Sequence, residues 1–183
     1  MITERDVHIL RVLARYYLLT RQQVERLCFK DAASSRVALF AYHPTLGSPA
    51  PVYYLSHKGA EFLASHFDDA RFLATNTQPP QSNLVLHWLA IGDTHIALEE
   101  AIARQEEVQL KGWINEFDVV NKAEARPERR FQLYLLLREE PRLICAPDAA
   151  FMLEARSYRK VYYLEQDRAT SGVQHVAASK TPG

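Results

Sequence analysis

An α+β fold in two parts is what this sequence predicts, and three observations predict it. Residues 1–67 carry helical periodicity interrupted by one strand-like run, and residues 84–105 carry one long, apolar helical pattern. Four β-like runs follow between residues 108 and 167, so the second part is a helix packed on a sheet. Between the two parts, residues 68–83 (DDARFLATNTQPPQSN) are polar, hold Pro79 and Pro80 and lack periodicity. That stretch is the expected linker, giving one domain over residues 1–75 and a second over residues 84–183.

The first helix is expected to start at Thr3, because Asp6 three positions on completes a capping box, and Val7, Leu10, Leu13 and Ala14 then recur at helical spacing. Thr20 and Gln23 repeat the device, and Val24 and Leu27 supply the buried face of a short second helix. Residues 32–40 are expected to form a third, after which Pro44, Gly47, Pro49 and Pro51 break regular structure. Residues 52–56 (VYYLS) read as a strand and residues 58–67 as a helix. Three helices, a loop, a strand and a helix is the order of a winged helix-turn-helix, which places its third helix in the DNA major groove. A helical cap that touches only the rest of the chain has the same order.

In the second part, Leu84, Leu86, Trp88, Leu89, Ile91, Ile96, Leu98 and Ile102 give the long helix a broad apolar surface. Its expected core comprises Trp88, Ile91, Leu98, Trp113, Phe117, Leu133 and Leu135. Strands are expected over residues 108–120, 131–138, 143–153 and 161–167, with residues 121–130 as a charged loop.

Composition narrows the function classes. Of 183 residues, 48 % are apolar and 24 % charged, as in an ordinary folded protein, so disorder and fibrous repeats are excluded. Cys28 and Cys145 stand far apart without CxxC spacing, which excludes a disulfide framework and a cysteine-built zinc site and points to a reducing cytoplasm. The longest uncharged apolar run, residues 84–92, is about half of the ~20 residues that a membrane span needs. Lys plus Arg equals Asp plus Glu at 22 each, yet residues 1–40 hold seven basic and four acidic side chains, a local excess that favours a polyanion at the head of the chain. The residues expected to touch DNA are therefore Arg21, Gln22, Gln23, Lys30, Arg36 and Lys58.

Chemistry concentrates around Asp148. If Arg156 and Ser157 form a two-residue hairpin loop, Asp148 pairs with Glu165 across the ladder. Directly opposed Cβ atoms lie about 4.5–5.5 Å apart, so two ionised carboxylates there repel unless a cation or hydrogen-bond donors intervene. Glu165 and Asp167 project to the same strand face, so three carboxylates are placed to converge on Mg²⁺ or Mn²⁺. Solvation, or neutralisation by Arg159, Lys160 or Arg168, answers the same repulsion without a metal. Glu116 points toward the same cleft on this reading, and Glu99 and Glu100 close the long helix as solvated carboxylates. His87 and His95, eight apart on that helix, are too far apart for shared metal ligation and read as buried or edge histidines. No GxSxG, P-loop, Rossmann glycine pattern or HExxH occurs, so serine hydrolase, nucleotide-hydrolase, dinucleotide and zincin readings have no support.

Several of these segments together resemble the replication-relaxation family: residues 3–6 (TERD) with Ile9, Leu10 and Leu13, residues 19–24 (LTRQQV), and residues 53–59 (YYLSHKG) before a helix. His87, Trp113 with Glu116, residues 147–149 (PDA) and residues 164–168 (LEQDR) extend the likeness through the second half. The resemblance implies an N-terminal winged helix and a second half like the PD-(D/E)XK nucleases. It also implies a role in plasmid replication, DNA relaxation or mobilisation, with double-stranded DNA and other replication or mobilisation proteins as partners. Carried onto this chain, the catalytic positions are Asp148, Glu165, Asp167 and Glu116, with Asp148 and Glu165 holding Mg²⁺ or Mn²⁺. Three departures count against cleavage and strong base reading. Residues 31–50 are short and poor in arginine, Asp167 stands where an active nuclease of this kind carries lysine, and a closing helix after Asp167 is expected to be missing. Binding without efficient cleavage is the expectation, with a metal-dependent nicking nuclease and a protein-interaction or transcription-regulating module as the alternatives.

Overall fold

A computed structural model describes residues 2–29, 41–43, 51–81, 84–121 and 123–167, with the backbone alone for residues 41–43. The chain is mixed α+β and divides into two compact units, Met1–Ile96 and Ala97–Gly183.

The first unit opens with α1 (Glu4–Tyr16), whose start is held as its sequence predicts. The Asp6 amide donates to Thr3 Oγ1 at 3.3 Å, and the Thr3 amide and hydroxyl each donate to Asp6 Oδ2 at 2.8 Å. These bonds favour the ionised form and hold the Asp6 carboxyl below its usual range. Strand β1 (Leu18–Thr20) leads into α2 (Arg21–Cys28), where the Thr20 amide donates to Gln23 Oε1 at 2.7 Å and the Gln23 amide to Thr20 Oγ1 at 3.2 Å. Strands β2 (Ala41–His43) and β3 (Val52–Tyr54) complete an antiparallel sheet in the order β1-β3-β2. Leu18 faces Tyr54 on one side of β3, and His43 faces Val52 on the other. The chain then enters α3 (His57–Phe67), capped by the Ser56 hydroxyl, which accepts from the Gly59 amide at 3.1 Å. A side chain at Gly59 would start 2.8 Å from Leu55 Cδ1, so glycine is what lets α3 sit this close to Leu55. Leu10, Leu13, Leu19, Val24, Leu55, Leu63 and Ile96 are among the residues that form the core. The third helix expected over residues 32–40 lies outside the described residues.

Two expectations about the boundary change. Residues 68–83 are not a free linker: they hold a 3-10 turn (Ala70–Ala74), and the buried Tyr17 hydroxyl donates to the Gln78 carbonyl at 3.2 Å. The long helix α4 (Val85–Ile102) gives its first two turns and more to the first unit rather than to the second. There Trp88 meets Tyr17 edge-on with ring centroids 5.3 Å apart, His95 lies 4.7 Å from Tyr16, and Ile96 enters the core. Trp88 and Ile91 are thus not core residues of the second part, as the helical pattern alone implied. An apolar helix of this kind buries whatever surface meets it, and its period does not say which neighbour that is.

The second unit is built on β4 (Val108–Asn115), β7 (Ala149–Ala155) and β8 (Tyr158–Leu164), antiparallel in the order β4-β7-β8. Ahead of β7 come a short helical turn α5 (Pro127–Arg130) and a separate hairpin of β5 (Leu135–Arg138) and β6 (Leu143–Cys145). The strand expected over residues 131–138 is confined to β5, because Pro127 starts a helical turn and residues 132–134 are irregular. Arg156 and Ser157 form the two-residue turn between β7 and β8, with Arg156 at φ 55, and Ala149 faces Leu164 in the register that this loop length predicts. Trp113, Phe151 and Tyr162 stack across the three strands with successive centroids 5.3 Å apart. Leu135 is exposed on β5 at 58 %, so it is not a core residue, while Leu98, Trp113, Phe117 and Leu133 are half-buried. No described helix is long and apolar enough to cross a membrane.

Candidate functional site

Of the residues expected to touch DNA, Arg21 and Gln22 are exposed on α2 and Lys58 is exposed on α3. Arg21 Nε bonds Glu25 Oε1 at 2.7 Å, a surface pair that screening and side-chain entropy keep weak. Gln23 faces the other way. Only 6 % exposed, it accepts from the Thr20 amide and donates through Nε2 to Asp93 Oδ1 at 2.6 Å, so its amide serves the fold and does not face DNA. Its position at N3 of a capping box is the signal that predicts this inward role. Arg26, on the same helix, is exposed and lines a groove with Gln22, Leu86 and Asp93. Lys30 and Arg36 lie outside the described residues.

The acidic site sits at one end of the β4-β7-β8 sheet. Asp148 extends the ladder by one residue beyond β7: its amide donates to the Leu164 carbonyl at 3.0 Å and its carbonyl accepts from the Glu116 amide at 3.0 Å. Backbone pairing on both sides therefore fixes where its carboxylate stands. One oxygen of Asp148 and one of Glu116 lie within 4.8 Å of each other, both side chains half-buried, and Asp148 Oδ2 accepts from the Gln166 amide at 2.5 Å. Two carboxylates at this separation repel at neutral pH, and the Gln166 N–H offsets part of that repulsion. The pairing that the structure makes is Asp148 with Glu116. Among the described residues no third carboxylate, Glu165 and Asp167 included, comes within that reach of both. Glu165 and Asp167 follow the end of β8 as exposed residues, where the regular ladder has stopped.

His95 is a core histidine, 2 % exposed with its ring on Tyr16, and Glu99 and Glu100 are half-buried near the end of α4. Glu154, between β4 and β8, pairs with Lys111 at 2.9 Å and with Arg159. Hydrogen bonds from these two cations hold its carboxyl below the usual range.

Sequence reasoning missed Asp118, whose Oδ2 accepts from the Asn115 amide at 2.8 Å and so shapes the turn that carries Glu116. The signal for it is Asn115 and Asp118 three residues apart at a strand end, the two ends of a four-residue turn that the Asp118 amide closes on the Asn115 carbonyl at 3.0 Å. Burial pushes the Asp118 carboxyl up, outweighing the hydrogen bond from Asn115. Because its folded value lies above its unfolded value, its neutral form favours the fold and this contribution fades as pH rises through the folded value. Asp118→Asn, which keeps an oxygen acceptor without the charge, should gain stability over wild type as pH is raised from about 4 toward neutrality. Urea midpoints of both proteins across that range check this; a gap that shrinks with rising pH would count against it.

Compared with known families, residues 10–181 match the model of the family described as replication-relaxation. No curated protein matches the chain, and no solved structure matches it.

Proposed function

Because the chain belongs to the replication-relaxation family, we propose that it binds double-stranded DNA during replication, relaxation or mobilisation of a plasmid or other mobile element, and holds the DNA without cutting it efficiently. The observation that carries this reading is the element order of the first unit. Two capped helices flank β1, β2 and β3 join it in an antiparallel sheet of order β1-β3-β2, and α3 follows, an order that supports a winged-helix reading. Arg21, Gln22 and Lys58 supply exposed donors for phosphates and base edges, with Lys30 and Arg36 retained as contacts from the sequence. The partners on this reading are duplex DNA and other replication or mobilisation proteins.

The second unit is read as a degenerate PD-(D/E)XK-like domain. Glu116 and Asp148 are a donor set for a hard divalent ion: two carboxylates suit Mg²⁺ or Mn²⁺, which keep waters in their remaining positions. Glu165, exposed just past the end of β8, is retained as a second metal ligand from the sequence. Such an ion, when bound, supplies Lewis-acid activation of a phosphodiester and its attacking water. Asp167 stands at the position of the lysine that orients water in active relatives of that fold, and this favours binding over cleavage.

Fluorescence anisotropy of the full chain with a labelled duplex, at about 50 and about 200 mM salt and with or without Mg²⁺, tests both statements. Affinity should fall with salt at a log–log slope of about −0.9 per neutralised phosphate, and Arg21→Gln with Lys58→Gln should make that slope shallower by about 2. Salt-independent binding, or none, overturns the DNA reading. A supercoiled plasmid should stay intact in millimolar Mn²⁺. Nicking that is lost in both Asp148→Asn and Glu165→Gln would make the protein a nuclease instead.

A further inference from the structure

The two edges of the β4-β7-β8 sheet are built differently. β4 is bulged between Leu110 and Gly112, a device that turns an edge away from further pairing. β8 pairs with β7 without a break through seven residues, holds no glycine or proline, and has no strand on its outer side among the described residues. The backbone N–H and C=O groups along such an edge are a template for another strand. Its side chains are apolar and exposed, with Tyr158 at 79 %, Tyr163 at 69 % and Val161 at 51 %. Charges are the usual protection of an edge, yet Arg159 is already held by Glu154, and the Lys160 ammonium lies 5.4 Å from the Tyr162 ring centroid.

We propose that β8 pairs antiparallel with β8 of a second copy of this chain, across a twofold axis at Val161, so that two three-stranded sheets become one. The residues of β8 select both the occupant and the register. Centred on Val161, all seven residues of each strand find a partner. Arg159 then stands opposite the partner's Tyr163 and Lys160 opposite the partner's Tyr162, so each cation meets an aromatic ring, and Tyr158 meets the partner's Leu164. The stack of Trp113, Phe151 and Tyr162 ends at this edge, and the partner's Lys160 extends it by a cation. Centring the pair on Arg159 or Lys160 opposes like charges directly, and centring it on Tyr162 or beyond takes Tyr158 past the end of the partner strand. A twofold contact uses both edges at once, so assembly stops at two copies. This inference stands apart from the DNA-binding reading and does not depend on it.

Sedimentation equilibrium of the full chain from about 1 to about 100 µM tests this, a range suited to a contact of modest area. Wild type should pass from monomer to dimer and go no further. Val161→Lys, which opposes two ammonium groups on the axis, should stay monomeric with the far-UV circular dichroism of wild type, because the position is half-exposed in the single chain. In a Cys145→Ser background, Val161→Cys should cross-link to a dimer under diamide, since opposed residues of an antiparallel ladder have Cα atoms about 4.5–5.5 Å apart, within disulfide reach. Tyr163→Cys, which faces Arg159 and not itself, should cross-link no more than the Cys145→Ser protein alone. A wild type that stays monomeric throughout overturns the proposal, as does mass growing past the dimer or a Val161→Lys protein that still dimerises. Equal cross-linking at positions 161 and 163 overturns the register and the twofold pairing with it. Should Val161→Lys fail to fold, the two cysteine variants decide alone.

Discussion

Ile96→Ala should destabilise the protein by about 2–5 kcal/mol, whereas Leu98→Ala, two residues further along the same helix, should cost well under half as much. Ile96 is fully buried in the core that α1, α2 and α3 share, so truncation removes apolar burial and leaves a cavity that closely packed neighbours fill only in part. Leu98 is half-buried, so water and side-chain motion take up much of the space its truncation opens. A sequence pattern that treats both as core leucine-like positions predicts equal effects. Urea unfolding with unchanged m-values separates the two cases. A larger loss at Leu98 than at Ile96 would mean that α4 presents a different face to the first unit.

A comparable loss is expected at Tyr17, where alanine should cost about 3–5 kcal/mol and phenylalanine only about 0.5–1.5. Tyr17 is 2 % exposed, packs edge-on against Trp88, and donates its hydroxyl to Gln78, so it ties both residues 68–83 and α4 to the first unit. The phenylalanine change removes only the hydroxyl, while alanine also removes the ring contact and most of the buried area. The residue holds φ at 65, a left-handed conformation that non-glycine residues adopt at some cost, and the burial of its ring offsets that cost. Burial, reinforced by the nearby Tyr54, pushes its phenol up to about 12. The unfolded phenol ionises near 10, so wild-type stability should fall as pH rises from about 10 toward 12, and Tyr17→Phe should lose this part of the alkaline slope. An unchanged alkaline slope in Tyr17→Phe would show that the hydroxyl is solvated.

Local signals in the chain were sufficient for much of the architecture. The capping boxes at Thr3 and Thr20 start α1 and α2, because a side chain reaching its own N3 amide needs no distant partner. Arg156-Ser157 sets the β7–β8 register, because a two-residue loop leaves one pairing for the strands it joins, and this brings Asp148 level with the end of β8. Glu116 and Asp148 were both legible as acidic candidates although the expected strands 108–120 and 143–153 ran through them; in the fold each stands one residue beyond a strand end.

Tertiary structure decided what those signals leave open. Gln23 looked like a donor for DNA on an exposed helix, yet Asp93, seventy residues away, draws its amide inward. The apolar surface of α4 had no preferred direction in sequence, and the first unit claimed Trp88, His95 and Ile96 because Tyr16, Tyr17 and the α1–α3 core offered a complementary surface. The polar residues 68–83 carried the composition of a linker, yet the Tyr17 hydroxyl on Gln78 and the packing of Phe72 against the core tie that stretch to the fold. Caps, turns and alternation act over a few residues and can be read from the chain alone. Which buried face meets which neighbour depends on packing free energy summed over residues far apart in sequence, and only the folded chain evaluates that sum.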